Sequence, residues 1–350
     1  MKLVIFTLFI LLNVALFSQV DAEISLGKKD TIENIYYDEF TEKLLIKFTN
    51  SLKYTKLDIT NKNTLKRLKL APAGTLDLGL AFNYKWFGIG VSLGLPSGEM
   101  SDSTKGKSSR FDMQLSMYSK KFVVDALYQR YKGFHVQNPG DFANWDSTTI
   151  LPQLPNMENY SIGASAYYIL NHKKLSYRAA YVRNAIQKKS AGSLLIGPFV
   201  NVDAASTENG FVPENLPHSV RDTFDIDFFS STSYGLAVGY TYSVVIAKKI
   251  FMNFSIVPGI GVKDLKTSLN GIPRASKKGV SARITYRFAM GYEHRWFLLG
   301  LTLYGTQGAI VIDNYEFSPG AGMLKLFVAK RFDVKGKGKK KNEIKDVLPE

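Results

Sequence analysis

Residues 279–305, GVSARITYRFAMGYEHRWFLLGLTLYG, carry the pattern that predicts the fold. From Val280 to Tyr292 every second residue is apolar, and the residues between them are small or charged. Because successive side chains of a strand point to opposite faces, this is one strand with a single apolar face. The chain turns at residues 293–295 and returns through residues 297–303, again apolar at every second position. Each arm exceeds the about 5–6 residues of a typical soluble strand and fits the about 9–11 of a membrane strand, so the hairpin predicts a transmembrane β-barrel.

The same pattern recurs along the chain. Further hairpins are predicted at residues 75–95, 110–132, 160–186 and 234–262, with single strands within residues 41–71 and at Gly322–Phe332. Turns of about 2–4 residues alternate with loops of about 12 or more, as in bacterial barrels, whose short turns face the periplasm. We therefore predict an all-β fold, an antiparallel transmembrane β-barrel with an even strand number of about 12–14.

The strand count depends on the short turn at residues 190–193. Strands at Leu175–Ile186 and Leu194–Val202, on either side of this turn, require an extra crossing of the membrane. A short strand at Phe224–Phe228 restores an even number and gives the upper count. If Leu194–Val202 is instead part of an extracellular extension, the lower count results.

Composition excludes several classes of protein. The chain has 350 residues, of which 45% are apolar and 13% aromatic. Beyond the N-terminal segment it has no apolar run of the about 18 residues that a membrane helix needs. Cysteine is absent, which excludes disulfides, thiolate metal sites and a lipoprotein anchor. A soluble β-sandwich remains as an alternative, but its outward face is strongly charged, whereas the non-apolar face here is mostly small and uncharged.

Four segments are predicted: a cleaved signal peptide at residues 1–22, a periplasmic lead-in at 23–40, the barrel at 41–332 and a basic disordered tail at 333–350. This organisation predicts an outer-membrane protein of a Gram-negative bacterium. The formal net charge of +15 is spread over turns, loops and the tail, so we expect outer-membrane lipid and no nucleic acid as partners. The tail is a candidate surface for a periplasmic or envelope protein partner.

No residue pattern predicts catalysis, a cofactor or a metal site. The four histidines, His135, His172, His218 and His294, lack metal-ligand spacing. The string Gly90-Val91-Ser92-Leu93-Gly94 matches a nucleophile elbow, but that motif needs a strand–turn–helix context and here lies inside a predicted strand. We therefore expect a protein that is not an enzyme.

The face opposite the apolar one carries charges that parity places inside the barrel. They are Asp77, Arg110, Asp112, Asp125, Arg178, Arg283, Arg287, Glu293 and Lys325. One interpretation is a salt-bridged polar core that fills a small barrel, and the other is a constriction that selects anionic solutes. In a long loop, the aromatic residues Phe142 and Trp145 are expected either to fold inward as a plug or to bind an extracellular partner.

Four stretches resemble a known family: Tyr37–Phe40, the Tyr84–Lys85 turn, Tyr128–Phe134 (YQRYKGF) and Gln187–Ser193 (QKKSAGS). They are similar to the domain of unknown function 4421 family of Bacteroidetes. The resemblance implies a secreted, barrel-like outer-membrane protein without an assigned activity, so no catalytic residues transfer. With the charged lumen, we expect a porin-like channel or transporter for small solutes. The alternative is a structural scaffold for a secretion or envelope assembly.

Overall fold

The computed structural model covers most of the predicted barrel. It describes residues 35–85, 87–95, 104–146, 150–246, 249–269, 271–274, 276–294, 296–312 and 314–334. The predicted signal peptide, most of the predicted lead-in and nearly all of the predicted tail lie outside these residues.

The described elements are mostly long strands. The strands are β1 (Tyr37–Glu39), β2 (Lys43–Asn61), β3 (Arg67–Ala71), β4 (Thr75–Tyr84), β5 (Phe87–Leu95), β6 (Ser109–Tyr118), β7 (Phe122–Val136), β8 (Gln153–Ile169), β9 (Ala185–Gln187), β10 (Ala191–Ser206), β11 (Ile226–Ile246), β12 (Ile250–Leu269), β13 (Ile272–Pro273), β14 (Lys277–Glu293), β15 (Leu298–Ile312) and β16 (Tyr315–Asp333). The helices are a 3₁₀ turn (Pro139–Asp141), α1 (Tyr177–Tyr181) and α2 (His218–Thr223).

Antiparallel pairing closes the wall of the barrel. The first and last long strands, β2 and β16, pair from Lys43 opposite Asp333 to Asn61 opposite Tyr315. The ring then runs through β15, β14, β12, β11, β10, β8 and β7, and returns to β2 through the short β3. This hydrogen-bonded ring has ten strands. The predicted closed antiparallel barrel with an even strand number is confirmed, although its hydrogen-bonded ring is smaller than the predicted total.

The difference arises because β2 changes partner along its length. Leu57–Thr60 pair with β3, whereas Leu45–Lys53 pair with β4. In the same way, the end of β7 pairs with β3, and residues 123–132 pair with β6. The β4–β5 hairpin and β6 therefore complete the wall on one side of β3. Among the described elements, twelve strands of nine or more residues surround this part of the lumen.

The outer face of the wall is apolar, as parity predicts. On β11, alternate residues are exposed and large: Tyr234, Leu236, Val238, Tyr240 and Tyr242. The inward Thr241 and Ser243 between and beside them are buried. In a bilayer, this exposed apolar belt faces hydrocarbon. Within the described part of the chain, no helix is both long and apolar enough to cross a membrane.

Two of the predicted strands are wrong. Leu175–Ile186 does not cross the membrane: the Ser176 side chain accepts a hydrogen bond from Ala179 N and so caps α1, and a separate short strand, β9, follows. Phe224–Phe228 is not a strand of its own, because β11 begins at Ile226 and continues past a bulge to Ile246. Removing two predicted strands leaves the number of long strands even.

Candidate functional site

The short-turn end of the barrel, which we assign to the periplasm, is closed by a plug. The plug consists of residues 171–190, which connect β8 to β10, and residues 36–40. Its two chain segments pair as β1 and β9, with Tyr37 opposite Gln187. Part of the predicted lead-in therefore belongs to the plug and is folded against the barrel.

Gln187 holds the plug together from its centre. Its side-chain amide donates to the carbonyl oxygens of Tyr36 (3.2 Å), Lys174 (2.7 Å) and Lys189 (2.9 Å), and its side-chain oxygen accepts from Ser176 N at 2.9 Å. A buried amide with its donors and acceptor satisfied fixes the chain segments that it joins. The plug is thus an ordered unit and not a loose loop.

Glu293 on β14 anchors the plug to the wall. Its carboxylate accepts from Arg183 of the plug at 2.7 Å and from Arg331 of β16 at 2.5 Å. Arg331 Nη2 also donates to the Arg183 carbonyl oxygen at 2.8 Å. Burial lowers the pKa of Arg183 to about 10, so the guanidinium remains charged at neutral pH and the ion pair persists. The guanidinium lies 3.9 Å from the centroid of the Phe251 ring, a cation–π contact.

Helix α1 extends this attachment into the lumen. The Tyr181 hydroxyl donates to Asn253 Oδ1 at 2.6 Å, and the Tyr177 hydroxyl accepts from Arg287 Nη1 at 2.8 Å. Burial raises the pKa of both tyrosines, so both hydroxyls keep their protons. Arg178, predicted on a strand, lies on this helix and pairs with Glu39 of β1 at 2.6 Å.

Two ion pairs bridge the lumen. Arg287 on β14 binds Asp125 on β7 at 2.7 Å, and these strands are five apart in either direction round the ring of ten. Arg283, also on β14, binds Asp203 on β10 at 2.5 Å. Both basic residues were predicted to face the lumen, but their partners lie on distant strands. The first pair ties opposite walls together across the interior, and the second joins strands that are three apart in the ring.

A third group of charges lies against β2. Asp77 on β4 pairs with Arg110 of β6 and with Lys53 of β2, the latter at 3.5 Å. Lys53 also lies 3.8 Å from Asp112. Eight of the nine charges predicted for the lumen therefore make ion pairs, and Lys325 is the exception among the described residues.

At the opposite end of the lumen lies an apolar cap. The cap consists of residues 207–225, between β10 and β11, packed on inward side chains of the surrounding strands. Its buried apolar members are Phe211, Val212, Leu216, Val220 and Phe224. Phe142 and Trp145, both partly buried, pack against the same cluster, so the loop that carries them folds inward. His135, predicted in a loop, is buried at the end of β7.

Between the plug and the cap lies a cavity of about 580 Å³, here named the chamber. The order of residues along β16 shows the three layers: Phe317 packs in the apolar cluster of the cap, Lys325 lines the chamber and Arg331 holds the plug. The plug contributes Tyr181 and Val182 to the chamber lining. Its volume falls within the about 300–1,000 Å³ of small-molecule sites.

The chamber has an excess of positive charge. Its lining contains five basic and two acidic side chains. Lys325 and Lys47, the latter only 8% exposed, make no ion pair within the described part of the chain. Lys47 instead lies over the Phe327 ring, 5.3 Å from its centroid. Alternation also places Lys47 on the inward face. It was not predicted as a lumen residue, because Leu45 on the same face makes the alternation around it irregular.

The described residues contain no group of three His, Asp or Glu side chains arranged to hold a metal ion. Nor does a histidine line the described chamber. What the arrangement offers is a cavity whose partly apolar lining carries ammonium and guanidinium groups.

Comparisons with known proteins give a family and weak structural similarities. The family described as Domain of unknown function (DUF4421) matches residues 28–332. No curated protein matches the sequence. The chain is similar to the outer membrane protease OmpT from Escherichia coli, with 6% identity over 87% of this chain and 100% of that one and a TM-score of 0.37. It is also similar to the translocator domain of autotransporter NalP from Neisseria meningitidis, with 8% identity, coverage of 91% and 96% and a TM-score of 0.33. A third similarity is to the P. putida toluene transporter TodX, with 8% identity, coverage of 83% and 91% and a TM-score of 0.25. At these scores, none carries an argument about activity.

Proposed function

This chain belongs to the DUF4421 family of domains of unknown function, and on that premise we propose that it is a gated outer-membrane transporter for small anionic solutes. The protein binds its solute in the chamber and performs no chemistry on it. The plug closes the passage at rest and leaves the lumen when solute passes.

The observation that carries the proposal is a pair of lysines that make no ion pair with any of the described residues. Lys47 and Lys325 lie on the neighbouring strands β2 and β16 and both line the chamber. Burying an ammonium without a partner is costly, and an anion in the chamber removes that cost. Because Lys47 is buried, its attraction to an anion is stronger than that of a lysine at an exposed surface.

Selection by charge follows from the same geometry. The acidic residues of the lining, Asp112 and Asp125, already bind Lys53 and Arg287. They are therefore occupied, whereas Lys47 and Lys325 are available to a solute. A cation entering the chamber meets repulsion from both lysines, and an anion meets two donors.

The test uses a plug-replaced variant, in which an Asn-Gly turn substitutes for residues 172–189 and joins β8 to β10 as a short hairpin. In planar bilayers with a KCl gradient, its reversal potential is expected to show preference for chloride. Adding Lys47→Gln and Lys325→Gln is expected to abolish this preference. Lys66→Gln, an exposed loop substitution of the same kind, is the matched control and should leave the preference unchanged. Preference for potassium in the plug-replaced variant would overturn the proposal.

A scaffold role is favoured by one observation, the ordered chain that packs inside the lumen at both ends. A barrel that never opens can still present its loops or its basic tail to an envelope partner. If the plug-replaced variant is folded but silent, and deletion of residues 333–350 removes co-purifying envelope proteins, the scaffold role replaces the transporter role.

A further inference from the structure

The wall of the barrel is interrupted at one place. β5 pairs with β4 from Phe87 to Leu95, and β6 pairs with β7 over its whole length. Within the described residues, no backbone pairing joins β5 to β6. We call this gap the seam. In the hydrocarbon layer, backbone N–H and C=O groups are otherwise paired, so an unpaired edge marks a place where the wall opens or binds something.

Residues on both faces of the two strands beside the seam are exposed. On β5 the five consecutive residues from Ile89 to Leu93 are all exposed, and on β6 the same holds for Met113–Ser116. On the fully paired β12, by contrast, residues Phe251–Val257 alternate between buried and less buried or exposed positions. The exposed inward residues, such as Ser92 and Ser116, line the chamber, whereas the exposed outward residues, such as Val91 and Met113, face the lipid side. Both edges of the seam are therefore accessible from the lumen and from the lipid side.

The chamber reaches the seam. Its lining includes Ile89 and Val91 of β5 and Phe111 and Met113 of β6, which point outward and are exposed. The same lining includes Lys47, Lys325 and Arg287 in the interior. The cavity thus has cationic groups inside and large apolar side chains at its lateral exit.

Little side-chain volume stands between these two regions. The inward positions of β5 that line the chamber are Gly88, Gly90 and Ser92. These short residues leave a path from the lysines to the apolar side chains at the exit. A molecule that fits this path has a charged head and an apolar tail.

We propose that the seam is a lateral passage for an anionic amphiphile with a single hydrocarbon chain. Its headgroup pairs with Lys47 and Lys325, and its chain lies between Ile89 and Val91 on one side and Phe111 and Met113 on the other. The molecule exchanges between the chamber and the membrane through the wall. This inference rests on the anion-binding chamber of the proposed function and adds the class of solute and its route.

The absence of cysteine permits a direct test. Val91→Cys with Met113→Cys places one thiol on each side of the seam, and a flexible bis-maleimide then joins the two strands. The matched control is Ile196→Cys with Val238→Cys, because these outward residues are directly opposite each other on the paired strands β10 and β11. Heat-modified gel mobility verifies that each cross-linked barrel is folded.

The probe is dansyl-undecanoic acid, added to the full-length protein in phosphatidylcholine nanodiscs, and dansyl-undecane amide is the uncharged control. Cross-linking the seam is expected to slow entry of the acid at least about tenfold, whereas the β10–β11 cross-link leaves entry unchanged. Lys47→Gln with Lys325→Gln is expected to weaken equilibrium binding of the acid by at least about tenfold, as loss of charge-assisted bonds predicts. The amide is expected to bind weakly in every variant.

The outcomes separate the two proposals. If the acid binds in a lysine-dependent manner but enters equally fast with the seam cross-linked, the lateral passage is wrong and the anion chamber stands. If the acid does not bind but the plug-replaced variant still prefers chloride, the chamber binds anions but an anionic amphiphile is not its solute. The lateral passage and the solute class are then both wrong. If the full-length protein does not bind the acid and the plug-replaced variant shows no preference for chloride, the proposed function itself is wrong.

Discussion

The plug and the cap are held inside the same lumen by opposite means. The plug meets the wall through polar bonds, chiefly Glu293 to Arg183 and Arg331, and Tyr181 to Asn253. The cap meets the wall through apolar packing, in which the cap contributes Phe211 and Phe224 to a buried cluster of the surrounding strands. One end of the barrel therefore resembles an interface and the other resembles a hydrophobic core.

Apolar packing and ion pairs respond differently when the groups that they join separate and contact water. Apolar burial has no alternative partner in water, so the cap behaves as part of the folded core. When an ion pair breaks, water or other ions can bind the separated charges. The net stabilisation by the pair is therefore small. From this contrast we infer that the plug is the end that opens and that the cap is structural.

The largest expected effect is on the apolar cluster in which the cap packs. Phe229→Ala removes a fully buried ring whose centroid lies 4.6 Å from that of Phe317. The free energy of unfolding should fall by about 3–5 kcal/mol, measured by thermal or denaturant unfolding in detergent. Channel openings should not appear. The control Phe254→Ala, an exposed outward ring, should change stability much less. Openings without loss of stability would contradict a structural cap.

The next effect is on the anchor of the plug. Glu293→Gln leaves the buried Arg183 without a carboxylate, which should weaken docking of the plug by about 3 kcal/mol. Single-channel openings should appear in planar bilayers while the unfolding temperature of the barrel hardly changes. Glu316→Gln, on β16 near the cap, is the control and should stay silent. A silent Glu293→Gln would show that the ion pairs do not hold the plug.

A smaller effect is expected inside the plug. Ser176→Ala removes the hydrogen bond that the Ser176 side chain accepts from Ala179 N at 3.3 Å. Loss of this helix cap should weaken the plug by about 1 kcal/mol, so openings should be rarer than with Glu293→Gln but more frequent than in the wild type. Ser219→Ala in α2 is the control, because α2 has no side-chain capping bond. Equal opening frequencies in the two serine variants would show that the Ser176 hydrogen bond does not stabilise the plug.

The sequence alone predicted the wall because one period governs it. The alternation of residues 279–305 placed Arg283 and Arg287 inside, and the structure has both side chains in the lumen. Parity assigns a face to each residue, but it does not say which residue lies opposite. For this reason the partner of Arg283, Asp203, was not predicted.

The plug and the seam could not be predicted for physical reasons. Helix α1 has five residues, too few to show a helical period, and Leu175, Tyr177 and Ala179 alternate as a strand does. The seam is a place where two neighbouring strands do not pair. The side-chain pattern of a strand does not show whether its backbone pairs with the next strand. The cap did leave a signal: five large apolar residues within residues 207–225 are unusual for an exposed loop.

Ion conductance tests most directly whether the plug closes the passage. The wild-type protein and the plug-replaced variant are compared in the same planar bilayers, after gel mobility shows that both are folded. We expect a silent wild type and steady conductance in the variant without residues 172–189. Steady conductance of the wild type, or a folded variant that remains silent, would contradict this expectation.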